Sequence, residues 1–250
     1  MVTKTKRKTN FKKDKINLDI KNNIVEFGND KYKMESRIGE YSTNALIFKI
    51  RNTDNNRVYI LKITHNSIKP DNLKTFIESY DSGIHEYKIL DTLSNIEQFE
   101  NISPKVYHYS YIINNDNVKG FFKKNLDLKI KELTKSYNKI FNEKYLELVI
   151  MEFIKGKTYY KKCSKKKLNK EESKKCNEYT DNICSIMDLL HNDGINHNDL
   201  HLNNIMISKD RPYIIDWARA KVSNNKVNWE DEIAEHQGKP KWNKEPRKCY

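Results

Sequence analysis

Short apolar segments separated by turn-forming residues recur through the first 155 residues of the chain. Gly28, Asn29 and Asp30 separate the first two segments, and the polar run 52–56 separates the next two. Short apolar runs bounded by such turns predict β-strands. Because short turns join most of them, they predict a mostly antiparallel sheet. The predicted strands cover residues 24–27, 32–38, 45–51, 57–63, 106–112 and 146–153.

Helical periodicity is inserted between these strands. Apolar residues spaced three and four apart predict a helix over 72–93, and Gly83 within it leaves open whether one or two helices form. After the strand at 106–112, the polar residues 114–117 predict a turn. A lysine-rich helical insert is then expected over 121–143.

The last third of the chain changes from sheet to helix. Gly156 follows the last long strand as a predicted hinge, and helical spacing begins near Glu172. Gly194 is expected to end that helix as a left-handed cap. A short hairpin is predicted from strands at 204–208 and 213–215. This order predicts an α+β fold with a sheet-rich half, a hinge and a mainly helical half.

The net charge of +13 is concentrated in two segments. Residues 1–15 carry seven Lys or Arg against one Asp, and residues 161–175 carry eight Lys against two Glu. Each segment is either a solvated tail or loop, or a docking surface for an acidic partner, a phosphorylated surface or nucleic acid. Aromatic residues are nearly absent from the first segment, so the pattern leaves nucleic acid open without favouring it.

Membrane insertion and extracellular redox chemistry are not indicated. No stretch approaches the ~18 apolar residues of a membrane helix, and the basic N-terminus lacks the apolar run of a secretory signal. The four cysteines have neither CxxC pairing nor metal-ligand spacing. We therefore expect reduced thiols and an intracellular, cytoplasmic protein, with the nucleus also possible. The cysteines are Cys163, Cys176, Cys184 and Cys249.

Two acidic residues and an amide near the C-terminal third carry the strongest chemical signal. Asp199 is followed five residues later by Asn204, and a hydrophobic strand then ends at Asp216. Phosphoryl transfer needs a base near the attacking hydroxyl and divalent metal ions on the phosphates. Magnesium prefers a few carboxylate or amide oxygens together with the phosphates themselves. This spacing predicts Asp199 as a base and Asn204 and Asp216 as magnesium ligands.

A lysine inside an apolar strand supports the same chemistry. Lys62 follows Tyr59-Ile60-Leu61, where an unpaired ammonium would be costly to bury. It is compatible with burial if it meets nucleotide phosphates and a carboxylate. Glu86 on the following predicted helix is the favoured partner, and Glu78 is the alternative. The plain alternative is a surface ion pair of little energetic value.

Two further segments indicate where a nucleotide would lie. The turn from Gly39 to Leu46 stands where a glycine-rich phosphate loop belongs, but it keeps a single glycine and could be an ordinary hairpin turn. The strand that ends at 148–154 precedes the hinge, where Met151, Glu152 and Ile154 could face adenine. Taken alone, this strand could equally be a core strand.

In this order, the motifs resemble the protein-kinase-like superfamily over about residues 32–220. The resemblance implies a two-lobed fold that binds ATP and Mg2+ in the cleft, with Lys62 on the phosphates and Glu86 orienting it. It implies catalytic roles for Asp199, Lys62 and Glu86, and metal binding by Asn204 and Asp216. It also implies a nucleotide site lined by Ile38, Gly39, Leu46, Lys62, Met151, Glu152 and Ile154.

The resemblance also predicts domain boundaries and a minimal second lobe. Residues 1–20 are expected to form a disordered basic arm, 21–155 the N-lobe and 156–250 the C-lobe. Only 34 residues follow Asp216, and no Ala-Pro-Glu motif occurs among them. The C-lobe is therefore expected to be truncated, as in the smallest atypical kinases.

Departures from the family pattern lie in the catalytic loop. Asn198 replaces the arginine that in many protein kinases docks a phosphorylated loop, so we expect that switch to be absent. His201 replaces a common lysine and is similar to the aminoglycoside- and choline-kinase branch. Trp217-Ala218 stands in place of Phe-Gly.

Three functions follow from the resemblance. The favoured one is an atypical serine/threonine kinase with a protein substrate, in which residues 1–15 and 161–175 dock an acidic partner. The second is a small-molecule kinase, indicated by the Asp199-Leu200-His201 run. The third is a non-catalytic binding module of kinase shape, indicated by the loss of loop glycines. A pure scaffold, however, has no chemical need for all five charged and amide groups.

Overall fold

The computed structural model describes residues 14–38, 45–66, 82–126, 140–164, 167–223 and 225–226. The predictions for Gly39, Glu78 and Cys249, and for most of residues 1–15, lie outside these ranges. So do residues 72–81 of the predicted helix and most of the expected insert at 121–143.

A seven-stranded antiparallel sheet forms the first lobe, with the strand order β1-β2-β3-β4-β5-β7-β6. The six strands that the apolar segments predicted are all present, and no bound differs from the expected one by more than three residues. The strands are β1 Ile16–Asp19, β2 Ile24–Phe27, β3 Asp30–Arg37, β4 Ala45–Asn52, β5 Val58–Asn66, β6 Val106–Ile113 and β7 Tyr145–Glu152.

Strand β7 lacks hydrophobic alternation because both of its faces are covered. Leu148 and Ile150 pack in a core shared with Phe48 on the outer side of the sheet. Val149 and Met151 pack on the opposite side, in a core shared with the second lobe. Successive residues of a strand point to opposite faces, so a strand between two cores is apolar throughout.

Within the described part of the first lobe, one helix lies on each face of this sheet. Helix α1 (Gly83–Ser94) packs on the face that adjoins the second lobe, and the Ser82 side chain caps its N-terminus. Helix α2 (Asp116–Lys124) packs on the outer face through Phe121 and Phe122. The turn predicted at 114–117 is therefore wrong. The Asn115 side chain accepts a hydrogen bond from the Val118 N–H and starts a helix there.

The second lobe is built around one long helix and short strand pairs. Helix α4 (Lys170–Asn192) starts with a capping box, in which the Asn169 and Glu172 side chains each bond the other residue's backbone N–H. Gly194 follows it with φ of +75°, as the predicted left-handed cap requires. The other elements are β8 Lys157–Thr158, α3 Tyr159–Cys163, α4 Lys170–Asn192, β9 Ile195–Asn196, β10 Ile205–Ser208, β11 Arg211–Ile214 and β12 Lys221–Val222.

The hinge passes between the lobes at Gly156. A Cβ atom on this residue would lie 2.1 Å from the Ile207 carbonyl oxygen, so only glycine permits this approach to β10. Strand β8 then pairs with β10. The α+β architecture with a sheet lobe and a mainly helical second lobe is confirmed.

The predicted disordered arm, residues 1–20, extends too far along the chain. Residues 16–19 form strand β1, paired with β2. The Asp14 carboxylate before it meets the His108 Nδ1 at 2.9 Å, and the Asp14 carbonyl accepts from the Ser110 hydroxyl at 2.5 Å. The prediction of disorder up to residue 20 is wrong for these residues, because β6 and β2 supply partners that sequence alone did not indicate.

The expectation of reduced cysteines is also wrong for the three cysteines that the structure describes, because Cys163, Cys176 and Cys184 are all disulfide-bonded. Cys163 at the end of α3 and Cys176 in α4 form a disulfide, with their Cα atoms 5.7 Å apart. Their separation of 13 residues matches no short motif, and the two helices bring them together only in the fold. Among the described residues, no helix is long and apolar enough to cross a membrane.

Candidate active site

Lys62, Glu86 and Asp216 converge between the two lobes. The Lys62 Nζ lies 2.7 Å from the Glu86 Oε2 and 2.5 Å from the Asp216 Oδ1. Only 7% of the Lys62 side chain and 1% of the Glu86 side chain are exposed, whereas 43% of the Asp216 side chain is exposed. The ammonium is therefore enclosed by protein, and one carboxylate beside it remains open to a ligand.

The three charges shift one another's proton affinity. Burial alone would lower the pKa of Lys62, but the Asp216 and Glu86 carboxylates outweigh burial and raise that pKa above its ordinary value. Burial raises the pKa of Glu86, with Lys62 opposing it. Desolvation would also raise the pKa of Asp216, but Lys62 outweighs it and lowers that pKa. Lys62 and Asp216 are thereby held charged.

Elements of both lobes place these three groups. Lys62 lies in β5 opposite Val149 of β7 and Ile47 of β4, on the sheet face that helix α1 covers. Glu86 lies in the first turn of α1. Asp216 follows β11 with φ of 65°, in the left-handed region that few non-glycine residues adopt. Backbone strain of this kind is concentrated at functional sites.

The loop 197–204 holds Asp199 and Asn204 together. The Asn204 Nδ2 donates to the Asp199 carbonyl at 2.9 Å and lies 3.4 Å from its Oδ2. The Asn204 carbonyl accepts from the Ile215 N–H at 2.9 Å, which ties this loop to the strand that precedes Asp216. The structure therefore brings the predicted base and both predicted metal ligands to neighbouring positions.

A buried histidine supports the same loop. The His197 Nδ1 accepts from the Asp199 N–H at 3.3 Å, so its Nε2 carries the proton donated to the Ile215 carbonyl at 3.0 Å. Its ring meets the Trp217 indole edge-to-face, with centroids 4.7 Å apart. His197 thus joins the loop of Asp199 to the segment of Asp216. Its spacing in the His-x-Asp motif is the signal that indicated it.

Arg219 is a residue of the site that the motif did not indicate. Its Nη1 lies 3.7 Å from the Asp199 Oδ1. Its carbonyl accepts from the Asn198 Nδ2 at 3.0 Å, and Asn198 itself has φ of 59°. A cation is thus beside the predicted base. An arginine three residues after Asp216 is the only sequence signal for it.

The predicted nucleotide-lining residues divide between the two faces of the sheet. Met151 lies opposite Ile60 on the face of Lys62. The Ile38 N–H bonds the Ile47 carbonyl at 2.9 Å, and Ile47 is directly opposite Lys62. Leu46, by contrast, is buried in the core on the other face. The predicted placement of Leu46 on the Lys62 face is therefore wrong, and its neighbour Ile47 lies on that face instead.

The end of β7 and the residues after it lie on the hinge side of the site. The Glu152 N–H donates to the Lys105 carbonyl at 2.8 Å, and its carboxylate accepts from the Lys105 N–H at 3.2 Å. Ile154 is buried. Glu152 is therefore occupied by the loop before β6, and its side chain is not directed to a ligand by any contact with the cleft.

Two comparisons with known proteins bear on this site. The family model for the protein kinase domain matches residues 32–242. A comparison with curated proteins finds no match. The sheet lobe, the hinge and the paired Lys62 and Glu86 next to Asp216 define the class of protein as a kinase-like phosphotransferase. The chain belongs to the protein kinase domain family, and its fold is that of the protein-kinase-like superfamily.

Proposed function

We propose that this protein is an atypical serine/threonine kinase that transfers the γ-phosphate of ATP to a protein hydroxyl. Membership of the protein kinase family supports ATP-dependent phosphotransfer as its activity. The observation that supports the proposed site best is the Lys62 ammonium held between Glu86 and Asp216. The serine/threonine preference is carried by the resemblance alone and is the part that needs testing.

In the proposed reaction, the acceptor oxygen attacks the γ-phosphorus. Its proton passes to the Asp199 carboxylate, and the bond from the γ-phosphorus to the bridging oxygen breaks, which releases ADP. Lys62 contacts the α- and β-phosphates, and Glu86 orients it. The role of the protein is mainly to position groups and to stabilise charge. Asp199 keeps 21% of its side chain exposed, so an acceptor can reach it.

The donor set fits magnesium. Asp216 offers a partly exposed carboxylate, and the Asn204 amide nitrogen is held by Asp199, which leaves the amide oxygen as the ligand atom. The described residues contain no group of three or more His, Cys, Asp or Glu side chains that could hold a metal ion by themselves. We therefore infer that the ion arrives with the nucleotide and neutralises its phosphates.

A small-molecule kinase is the second candidate, favoured by His201 after Asp199. His201 lies in the loop between Asp199 and Asn204. The His201 carbonyl accepts a hydrogen bond from the Asn204 N–H at 2.7 Å, which forms a tight turn at this point of the loop. A non-catalytic module is the least favoured. Burying Lys62 and Glu86 is expensive even when they are paired, and a binding module does not require it.

We further propose that the two basic segments dock an acidic part of the substrate or a partner protein. In segment 161–175, Lys161, Lys167 and Lys170 are exposed, and Lys162 contacts the Asp210 carboxylate and the Tyr179 hydroxyl. Lys165 and Lys166 lie outside the described residues.

We place the N-lobe from Asp14 to about 155 and the C-lobe from 156. A cytoplasmic or nuclear location stays a prediction, and the disulfide is a reason to test it.

Labelled ATP with magnesium tests this proposal, with panels of protein and small-molecule acceptors. We expect label on serine or threonine of a protein, and none with Asp199→Ala. Label on metabolites alone would replace the proposal by the second candidate. If ATP raises the melting temperature of wild type but not of Lys62→Ala, and no acceptor is labelled, the binding module is supported instead.

A further inference from the structure

Helix α1 carries Glu86, so its position decides whether Glu86 reaches Lys62. The N-terminus of helix α1 contacts strand β7. The first turn of the helix contacts the residues that follow Asp216. These two sets of contacts involve residues that the kinase motif does not include. They are Glu147 in β7 and His85 in the helix itself.

Glu147 binds the N-terminus of helix α1. Its Oε2 accepts from the Gly83 N–H at 3.1 Å, and its Oε1 accepts from the Ile84 N–H at 3.2 Å. These are among the first N–H groups of the helix, which have no partner within it. A negative charge is also favourable at this end of a helix dipole. The Tyr109 hydroxyl donates to the same Oε1 at 2.7 Å.

Glycine at position 83 allows the helix to come this close to the sheet. A Cβ atom there would lie 3.0 Å from the Thr64 Oγ1 and 3.1 Å from the Glu147 Cβ. Any larger residue would push the helix away from β7. The close contact between Gly83 and Glu147 therefore fixes where the N-terminus of helix α1 lies on the sheet.

Glu147 is an unusual choice for its position in the strand. It is fully buried, and its neighbours in β7 on both sides are apolar. A buried carboxylate is costly unless hydrogen bonds compensate for it. An apolar residue would pack there at lower cost. The carboxylate is therefore explained best by its hydrogen bonds to the Gly83 and Ile84 N–H groups of helix α1.

The next residues of the helix hold the segment that follows Asp216. The His85 Nε2 lies 2.5 Å from the Ala220 carbonyl, and because a carbonyl only accepts, this nitrogen is the donor. The Glu86 Oε1 accepts from the Trp217 N–H at 3.2 Å. Two adjacent residues of one helical turn therefore bind both ends of the 3-10 turn Trp217–Arg219.

We propose that Glu147 and His85 are positioning residues that lock helix α1 in the position where Glu86 meets Lys62. The site is then assembled by the chain itself, without a partner protein or a phosphorylated residue. This regulation rests on the proposed phosphotransfer function. A hydrogen bond of Asn198 supports the proposal. The Asn198 amide donates to the Arg219 carbonyl and holds the turn Trp217–Arg219 from the other side.

The His85 contact is tested by a pair of substitutions. Glutamine can present an N–H at a reach similar to the histidine Nε2, whereas leucine cannot. We expect His85→Leu to lower kcat by about tenfold, in line with the loss of one hydrogen bond, and His85→Gln to restore most of it. Thr92→Ala, on the exposed side of the same helix, serves as the control with unchanged kcat. Labelled ATP, magnesium and casein are the probes.

Hydrogen exchange of the wild type and Glu147→Gln tests the other contact without any acceptor. Glutamine keeps one acceptor oxygen but presents an N–H group to the other helix amide. We expect the amides of Gly83 and Ile84 to exchange at least tenfold faster in Glu147→Gln, at an unchanged rate in strands β4 and β5. A purely structural role would accelerate exchange throughout the lobe instead.

Three outcomes would overturn the lock. They are equal kcat for wild type and His85→Leu, slow exchange of both amides in Glu147→Gln, and loss of activity when the wild type is treated with a phosphatase. Failure of the proposed function is distinguishable from these. In that case no acceptor is labelled even by wild type, while the exchange difference at Gly83 and Ile84 remains.

Discussion

The two halves of the candidate site differ in how far the protein itself satisfies their charges. Lys62 and Glu86 are buried and bonded to each other. Asp199 is more exposed, and the Arg219 Nη1 lies 3.7 Å from its Oδ1. The proposed nucleotide side is therefore part of the folded core, whereas the proposed acceptor side is more exposed. Substitutions on the first side should affect stability and activity together, and those on the second side activity alone.

The largest effect is expected for Asp199→Asn on the acceptor side. Loss of the base should lower kcat by between about a hundredfold and ten-thousandfold. The side chain is partly exposed, so the free energy of unfolding should change by less than about 0.5 kcal/mol. Initial rates with labelled ATP and chemical denaturation measure the two quantities. Asp181→Asn, an exposed position on α4, should leave both unchanged. A large loss of stability in Asp199→Asn would remove the contrast.

Lys62→Ala should lower both the stability of the protein and its affinity for ATP. It leaves Glu86 buried without its cation, which costs about 3–5 kcal/mol of stability, and it removes the phosphate contact. Urea denaturation measures the first effect and ATP-induced thermal shift the second. Lys105→Ala, which disrupts an exposed pair with Glu100 at 3.9 Å, should cost less than about 1 kcal/mol. Equal losses in the two variants would mean that Lys62 is not part of a buried cluster.

The disulfide provides a third test because it stabilises the second lobe away from both halves of the site. A double variant of Cys163→Ser and Cys176→Ser should lose about 3 kcal/mol, the value for a loop of this length. The kcat of the folded fraction should not change. Mass spectrometry of protein alkylated before reduction checks the bond itself. Two alkylated cysteines at these positions would restore the expectation of reduced thiols.

The smallest effect is expected from pH acting on Glu147. Burial raises the pKa of Glu147, and hydrogen bonds from Tyr109, Gly83, Ile84 and Asn66 oppose burial only in part. Because the pKa is higher in the folded state than in the unfolded state, its contribution to stability is present at low pH and is lost as pH rises through the folded value. Wild type should therefore lose stability relative to Glu147→Gln as pH rises above about 4.3. A difference between the two proteins that is independent of pH would contradict this.

Sequence reasoning predicted the strands, and gave testable roles to site residues, where the prediction depends on local pattern. The strands follow from short apolar runs between turns, and Lys62 is recognisable because an ammonium inside such a run needs a partner. The Asp199 and Asn204 spacing is similarly local, because one tight loop holds both residues. Glu86 could be chosen over Glu78 only by its place on the predicted helix.

Failures occurred where the outcome depends on contacts between distant segments. Leu46 was chosen by counting from a glycine-poor turn, and an error of one residue moves a side chain to the other face of the sheet. The Cys163–Cys176 bond depends on how α3 meets α4. The position of Asp14, just before strand β1, depends on Ser110 and His108, nearly a hundred residues away.

The account as a whole depends on one nucleotide binding between the two lobes. A crystal structure with magnesium and a non-hydrolysable ATP analogue tests this most directly. We expect oxygens of Asp216 and Asn204 on the metal ion, the Lys62 Nζ on the α- and β-phosphates, and the adenine between Ile47 and Met151. A nucleotide bound elsewhere, with Lys62 still enclosed by Glu86 and Asp216 alone, would contradict it.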